Sequence, residues 1–279
     1  LLFEVVTVDP PPQIKLRCQR TPAARDPSPK IADQGGNYLK ECGRQGLLRL
    51  YELVLEDGTA ISPYAWRTRL ALERLRLPFV AAGVGFTEIK TIGEGQFATV
   101  PVLQDGDLFI ADSWAIVKHL DGRYGGGNLL GSTRDQNMIR FFDSWCRHRL
   151  LAPLTRICVL DIFARLRPAD QAYFRQSREA RLGATLEEAV ADRAERVVDF
   201  RRELEPLRAG LSEEPFLGGA EPTYADFIGV AALIWAGSVS TIQLLEPDDA
   251  VLAWFRRCLA FVGGMAPKLT PRSSLAVIS

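Results

Sequence analysis

The chain has 279 residues, 47% of them apolar, with 34 basic side chains against 34 acidic ones. That length and apolar share allow a full core in one large domain or two modest ones. A formal net charge of zero favours neither nucleic acid nor an anionic membrane, so both partner classes are set aside.

The five cysteines, Cys18, Cys42, Cys146, Cys158 and Cys258, are odd in number and have no CxxC or Cys/His ligand spacing. They read as free thiols in a reducing compartment, which predicts a cytoplasmic protein without a metal. His119 and His148, the two histidines, lie far apart without a motif for a metal site or a catalytic triad. No window reaches the roughly 18 uninterrupted apolar residues of a transmembrane helix. The opening Leu1-Leu2-Phe3-Glu4 lacks the order of a signal peptide.

In chain order, residues 1–46 are rich in Pro, Gly and charge without a sustained period, and read as a disordered extension. From Leu47 the pattern changes. Leu48 to Val54 is strand-like, Glu56-Asp57-Gly58-Thr59 breaks it, and Ser62-Pro63 opens a helix as N-cap and first helical residue. That helix runs through Trp66, Leu70, Ala71 and Leu75 and stops before Pro78. A second strand over Phe79 to Val84 precedes an irregular stretch through Gly93 and Gly95. Val100 to Leu103 and Leu108 to Ile110 then form strands joined by Gln104-Asp105-Gly106-Asp107, whose Asp-Gly pair signals a hairpin. Asp112 or Ser113 caps the run Trp114 to Leu120.

The order strand, helix, strand, irregular segment, hairpin, helix is thioredoxin-like and gives a small mixed sheet with helices packed on it. Gly125-Gly126-Gly127 closes this half. After Ser132 the chain is helical in character, with apolar-periodic runs over Met138 to Leu166 and Leu186 to Leu207. Thr223-Tyr224-Ala225-Asp226 is a capping box in its Asp form and opens an apolar helix at the centre of this second half. The expected domains are 47–127, α/β, and 132–265, all-helical, followed by a tail over 266–279.

Two features hold chemistry. Pro101 cannot donate to a sheet ladder, so it marks a strand start, an edge or a bulge, and leaves Val100 with free backbone groups. An ordinary trans bond is the commoner state of such a pair, and a cis bond would turn the chain so that those groups face a ligand. The helix start at Asp112-Ser113 exposes N–H groups that attract carboxylates, beside its plain role as a cap.

A thioredoxin-like half carrying Thr99-Val100-Pro101-Val102 and then Asp112-Ser113, joined to a helical half with the Thr223 box, resembles the cytosolic glutathione transferases. Ser62 to Arg69 and Tyr173 to Ala180 look like the etherase-related branch, the bacterial β-etherases and fungal etherase-like transferases. The resemblance covers roughly residues 47–265. It implies glutathione as co-substrate, with Val100 pairing by backbone to the cysteinyl part beside a cis Pro101. Asp112 would face the γ-glutamyl ammonium, and the Ser113 hydroxyl and helix N-terminus would take its carboxylate. Ser62 would donate to the sulfur, favouring thiolate, with Thr59 as the alternative hydroxyl. Capping and catalysis compete for the one Ser62 hydroxyl. Gln96, ahead of Lys90, is the candidate for the glycyl carboxylate. Trp145, Phe141 and Phe142 would line the pocket of an apolar or aromatic electrophile, though aromatics at such spacing also read as core. A homodimer is the implied assembly.

Three other readings stand beside a serine-type transferase. A thiol reductase needs a cysteine at the helix start, where this chain has Ser62. A non-catalytic carrier of glutathione or aromatic ligands, or a transferase-like interaction module, would keep the fold without turnover.

Overall fold

A computed structural model describes residues 47–262 and Leu275. The predicted extension over 1–46, with Cys18 and Cys42, and nearly all of the tail over 266–279 lie outside the described residues. The first half contains β1 (Leu48–Leu53), α1 (Pro63–Arg74), β2 (Phe79–Val84), 3₁₀ turns over Phe86–Gly95, β3 (Val102–Asp105), β4 (Leu108–Ala111) and α2 (Ser113–Leu120). The sheet order is β2-β1-β3-β4. β1 and β2 are parallel, and the pairs β1/β3 and β3/β4 are antiparallel. A parallel pair needs a crossover, which α1 supplies, while Asp105-Gly106 needs only a tight turn. The third strand begins at Val102, so Val100 and Pro101 precede the ladder that pairs Tyr51 with Val102. Leu50 and Leu103 pair on the face buried against the helices. Ile89, Ile92 and Val102 form a smaller cluster on the other face.

The irregular segment predicted before Val100 is a pair of 3₁₀ pieces broken at Ile92–Glu94, where Gly93 and Glu94 have positive φ. After a π-helical turn at Asp121–Gly125 come the helices of the second half. They are α3 (Thr133–Cys146), α4 (Ala152–Phe163), α5 (Pro168–Leu182), α6 (Leu186–Ala189), α7 (Arg193–Glu203), α8 (Glu205–Gly210), α9 (Tyr224–Val239) and α10 (Ala250–Val262). The two long apolar runs are thus divided. Between α3 and α4 the chain makes a π-turn over Arg147–Leu151, with the Ala152 N–H bonded to the Arg147 carbonyl. Pro153 explains it: a proline inside a helical rod removes one donor and crowds the preceding turn, and the rod widens there. The run over Leu186 to Leu207 becomes α6, α7 and α8, with Pro206 in the first turn of α8.

The centre of the second half is α9, almost wholly buried. The Thr223 N–H donates to Asp226, whose carboxylate also accepts from Leu217 N–H, Gly218 N–H and the Trp254 indole. Burial pushes the Asp226 carboxyl up, against these four donors. Gly229 is required in this helix, because a Cβ there would stand 2.7 Å from the Trp254 ring. The halves are joined through α1, which packs on α9. The Arg67 guanidinium donates to Asp143 at 2.6 Å in the interior, and the Tyr224 hydroxyl donates to the Ser113 carbonyl at 3.2 Å. Among the described residues no helix is long and apolar enough to cross a membrane.

Candidate active site

A cleft of about 720 Å³ opens where the two halves meet. Its thioredoxin-side wall carries Ser62, Thr99, Val100, Pro101, Asp112 and Ser113. Three separate turns bring these residues together: the β1–α1 loop, the approach to β3, and the β4–α2 junction. The Val100-Pro101 bond is cis. Because Val100 stands before the first ladder pair, the sheet does not use its N–H and C=O.

Ser62 is buried, 5% exposed, and is the N-cap of α1; its Oγ accepts from Ala65 N–H at 3.2 Å. The structure shows the capping half of the two roles expected of this hydroxyl. The cap bond uses an oxygen lone pair, and the hydroxyl proton is a separate resource that can be donated into the cleft. Thr59, the alternative hydroxyl, is not among the lining residues. Its Oγ1 accepts from Arg165 at 3.4 Å, and its N–H donates to Asp57 at 2.9 Å.

Asp112 is the N-cap of α2. Its Oδ1 accepts from the Trp114 and Ala115 N–H groups, each at 3.0 Å, and the residue lines the cleft. Its φ of 74° is a costly conformation for a residue with a Cβ, and such outliers concentrate at functional sites. The helix terminus is therefore less open than the sequence implied. Two of its N–H groups are already capped, so the Ser113 hydroxyl and N–H are what remain for an incoming carboxylate. Ser113 itself is buried at the cleft wall.

The opposite wall comes from the helical half: Arg147 and Leu151 at the π-turn, Thr155, Val159 and Ile162 of α4, Tyr173, Phe174, Arg178 and Arg181 of α5, and Trp235 of α9. Of the two alternatives for Trp145, Phe141 and Phe142, the core one holds for Phe142 and Trp145, which pack against the main core, and the pocket one holds for none. Phe141 is 67% exposed, and Phe142 stacks on Trp145 with centroids 5.6 Å apart; none of the three lines the cleft. Phe86, Tyr173, Phe174 and Trp235 take that place. Gln96 and Lys90 are exposed and outside the lining, so neither is brought to the cleft.

One edge is closed by contact between the halves. The Thr87 N–H and hydroxyl both donate to the buried Asp170 at the start of α5, at 2.8 and 2.9 Å. Gly85 permits the approach, since a Cβ there would lie 2.4 Å from the Asp170 carboxylate. Arg165 bridges the other side, donating to Asp57 at 2.8 Å and to the Ser238 carbonyl at 2.6 Å. Partial burial pushes the Asp57 carboxyl up, but hydrogen bonds from Thr59 and Arg165 outweigh it and hold it at about 2.

The described thiols offer no rival nucleophile. Cys146, Cys158 and Cys258 are all buried, none lines the cleft, and burial pushes each thiol up, Cys158 to about 12. Among the described residues no group of three His, Cys, Asp or Glu side chains could hold a metal ion. His119 instead meets Asp105 at 2.7 Å, beside Tyr124. The arginines of the cleft have no local motif in the sequence. Their only signal is the i, i+3 spacing of Arg178 and Arg181 on a helix, and its meaning depends on which face that helix buries.

A thioredoxin-like half with a cis-proline strand start, facing an all-helical half across a cleft, is the architecture of the glutathione transferases. The family model for the glutathione S-transferase N-terminal domain matches residues 58–128, and that for the C-terminal domain matches 138–254. Together these span well over half of the chain, which belongs to the glutathione S-transferase family. Glutathione S-transferase 4 of Zea mays is 28% identical over 207 residues, 71% of this chain and 84% of that protein. A glutathione S-transferase of Ceriporiopsis subvermispora, solved in complex with glutathione, superposes with a TM-score of 0.68 at 23% identity, covering 78% of this chain and 98% of that one. A glutathione transferase from Phanerochaete chrysosporium gives 0.62 at 25% identity, covering 77% and 97%.

Proposed function

We propose that this chain binds glutathione on the thioredoxin-side wall and activates its sulfur through Ser62, for attack on an apolar or aromatic electrophile held against the helical wall. Glutathione is a co-substrate in this reading, as the family match supports. The observation that carries it is the convergence of the Ser62 hydroxyl, the Val100 backbone before cis-Pro101, and Asp112-Ser113 on one cleft.

The peptide's cysteinyl part pairs with the backbone of Val100, its α-ammonium faces Asp112, and its α-carboxylate meets Ser113. Ser62, at the positive end of α1, then donates to the sulfur. A hydroxyl donor and a helix dipole both favour the anion, so the bound thiol ionises more readily than in water. The thiolate forms a bond to carbon while the leaving group departs with its electron pair, and the thiol proton goes to solvent. Proximity in the cleft supplies much of the remaining acceleration. Displacement of an aryloxide, the etherase-like variant, is the same step with a different leaving group. A cytoplasmic homodimer completes the proposal, supported by the exposed apolar Met138 and Phe141 on α3.

The test is retention on immobilised glutathione followed by a pH–rate profile for conjugation in wild type and Ser62→Ala. Loss of one charge-assisted hydrogen bond predicts a fall of about 10- to 100-fold in kcat/KM. The pH of half-maximal rate moves up, because the thiolate has lost its donor. An unchanged profile removes Ser62 from the mechanism. Retention without turnover of any electrophile favours a carrier, and loss of both favours an interaction module.

A further inference from the structure

Charge is distributed unevenly around the cleft. Arg147, Arg178 and Arg181 line it, whereas Asp112 is the one carboxylate among the described lining residues. Neighbours on the same helix show how unusual the α5 pair is. Arg175 is clamped by Glu179 and Glu187, with three hydrogen bonds of 2.9 Å. Arg178, three residues on, donates to the Ser177 hydroxyl at 3.0 Å, and it meets no carboxylate within ion-pair distance among the described residues. Its guanidinium lies over the rings of Phe174 and Phe86, 4.8 and 5.2 Å from their centroids. Arg181 sits one turn further along the same face and also enters the cleft. Burial and the charge of Arg181 both push Arg178 below its ordinary value, so the two cations are held together at a cost. Paired like charges on a helix are destabilising, and a guanidinium fork stacked on aromatic rings is preorganised for a planar anion.

We propose that Arg178 and Arg181 form an anion subsite for the electrophile, selecting aromatic co-substrates that carry a carboxylate. The inference rests on the reading of this cleft as a glutathione site. Asp112 is committed to the peptide's ammonium and the peptide lies along the thioredoxin wall, so this cationic corner, beside Phe86, Tyr173 and Phe174, faces the second substrate. A ring between these aromatics places its carboxylate against the guanidinium pair and its reacting carbon toward the sulfur. With 4-chloro-3,5-dinitrobenzoate, the glutathione sulfur forms a C–S bond at the chlorinated carbon. The C–Cl bond breaks and chloride leaves with the bonding pair, the thiol proton having passed to solvent.

The experiment measures, by calorimetry on the full chain with glutathione present, the Kd of unreactive 3,5-dinitrobenzoate against its methyl ester. KM values for 4-chloro-3,5-dinitrobenzoate and its methyl ester are measured alongside. The acid is expected to bind about tenfold or more tightly than the ester. The preference falls to near unity in Arg178→Met and in the exposed Arg181→Met, while Arg178→Lys keeps part of it. Equal affinities for acid and ester in the wild type overturn the proposal, as does a preference that survives both Met variants. It is also overturned if the Met variants raise the KM for glutathione alone, which would assign the pair to the peptide's glycyl carboxylate. An acid preference without any conjugation would keep the anion subsite and reject the transferase reading.

Discussion

The two walls of the cleft are built by different means. On the thioredoxin side the polar groups at the cleft include the short side chains of Ser62, Asp112 and Ser113 at helix starts, so their positions follow from local chain geometry. On the helical side the lining includes long side chains, arginines and aromatics, placed by how α4, α5 and α9 pack. Groups placed by caps are rigid, because a cap cannot move without unwinding its helix. A wall made of side chains can exchange residues without disturbing its scaffold, and suits the part that varies with substrate. The two walls are held in register by few buried polar contacts, and disturbing those contacts tests the contrast most directly.

The largest effect is expected at the contact that joins the walls. Arg67 is buried, and its Nε and Nη2 have no hydrogen-bond partner among the described residues, so Asp143 supplies its counter-charge. Asp143→Ala leaves that cation uncompensated and should cost about 3–5 kcal/mol in urea unfolding. A loss under about 1 kcal/mol would mean that apolar packing between α1 and α9 alone sets the register of the walls.

A smaller effect separates function from stability within the capped wall. Asp112→Gly removes the carboxylate proposed for the ammonium and should raise the KM for glutathione about tenfold. It also removes the cap acceptor, a loss of a few tenths of a kcal/mol when the replacement is Gly. Relief of the positive φ gives back about as much. Thermal unfolding should therefore shift little while KM shifts greatly. If both moved together, the cap and the ligand contact could not be treated as separate roles.

The smallest effect concerns the Asp57–Arg165 bridge beside the Ser62 loop. The Asp57 carboxyl stands at about 2 against an ordinary 3.8, so its ion pair stabilises the fold above the ordinary value and is lost as pH falls from about 4 toward 2. The side chain is 56% exposed, and after solvent screening the contribution is about 0.5 kcal/mol. Asp57→Asn should flatten that portion of the acid unfolding curve. An unchanged curve would assign the acid limb to other carboxylates.

The contrast between the walls also explains what could be read beforehand. Ser62-Pro63, Asp105-Gly106, Asp112-Ser113 and Thr223 to Asp226 are local signals, each complete within four residues, and each stands in the structure as a cap or a turn. Phe142 and Trp145 pack against the core beside the buried face Ile139, Asp143 and Cys146 of α3, while Phe141 faces away from it and is exposed; which of these faces meets the cleft is set by how α3 docks, not by its own periodicity. Gln96 is near Val100 in sequence, yet it is exposed at the end of the 3₁₀ segment and outside the cleft lining. Arg178 and Arg181 gave no usable signal, since cationic residues on a helix ordinarily face solvent.

The sequence by itself determined the order of elements in the first half, the starts of α1, α2 and α9 and the hydroxyl at the head of α1, because capping and turn chemistry depend on residues adjacent in the chain. Only the tertiary structure decided which aromatics and arginines face the cleft. It also placed the capping Ser62 at the cleft wall beside Val100, Asp112 and Ser113, because three turns distant in the chain meet there.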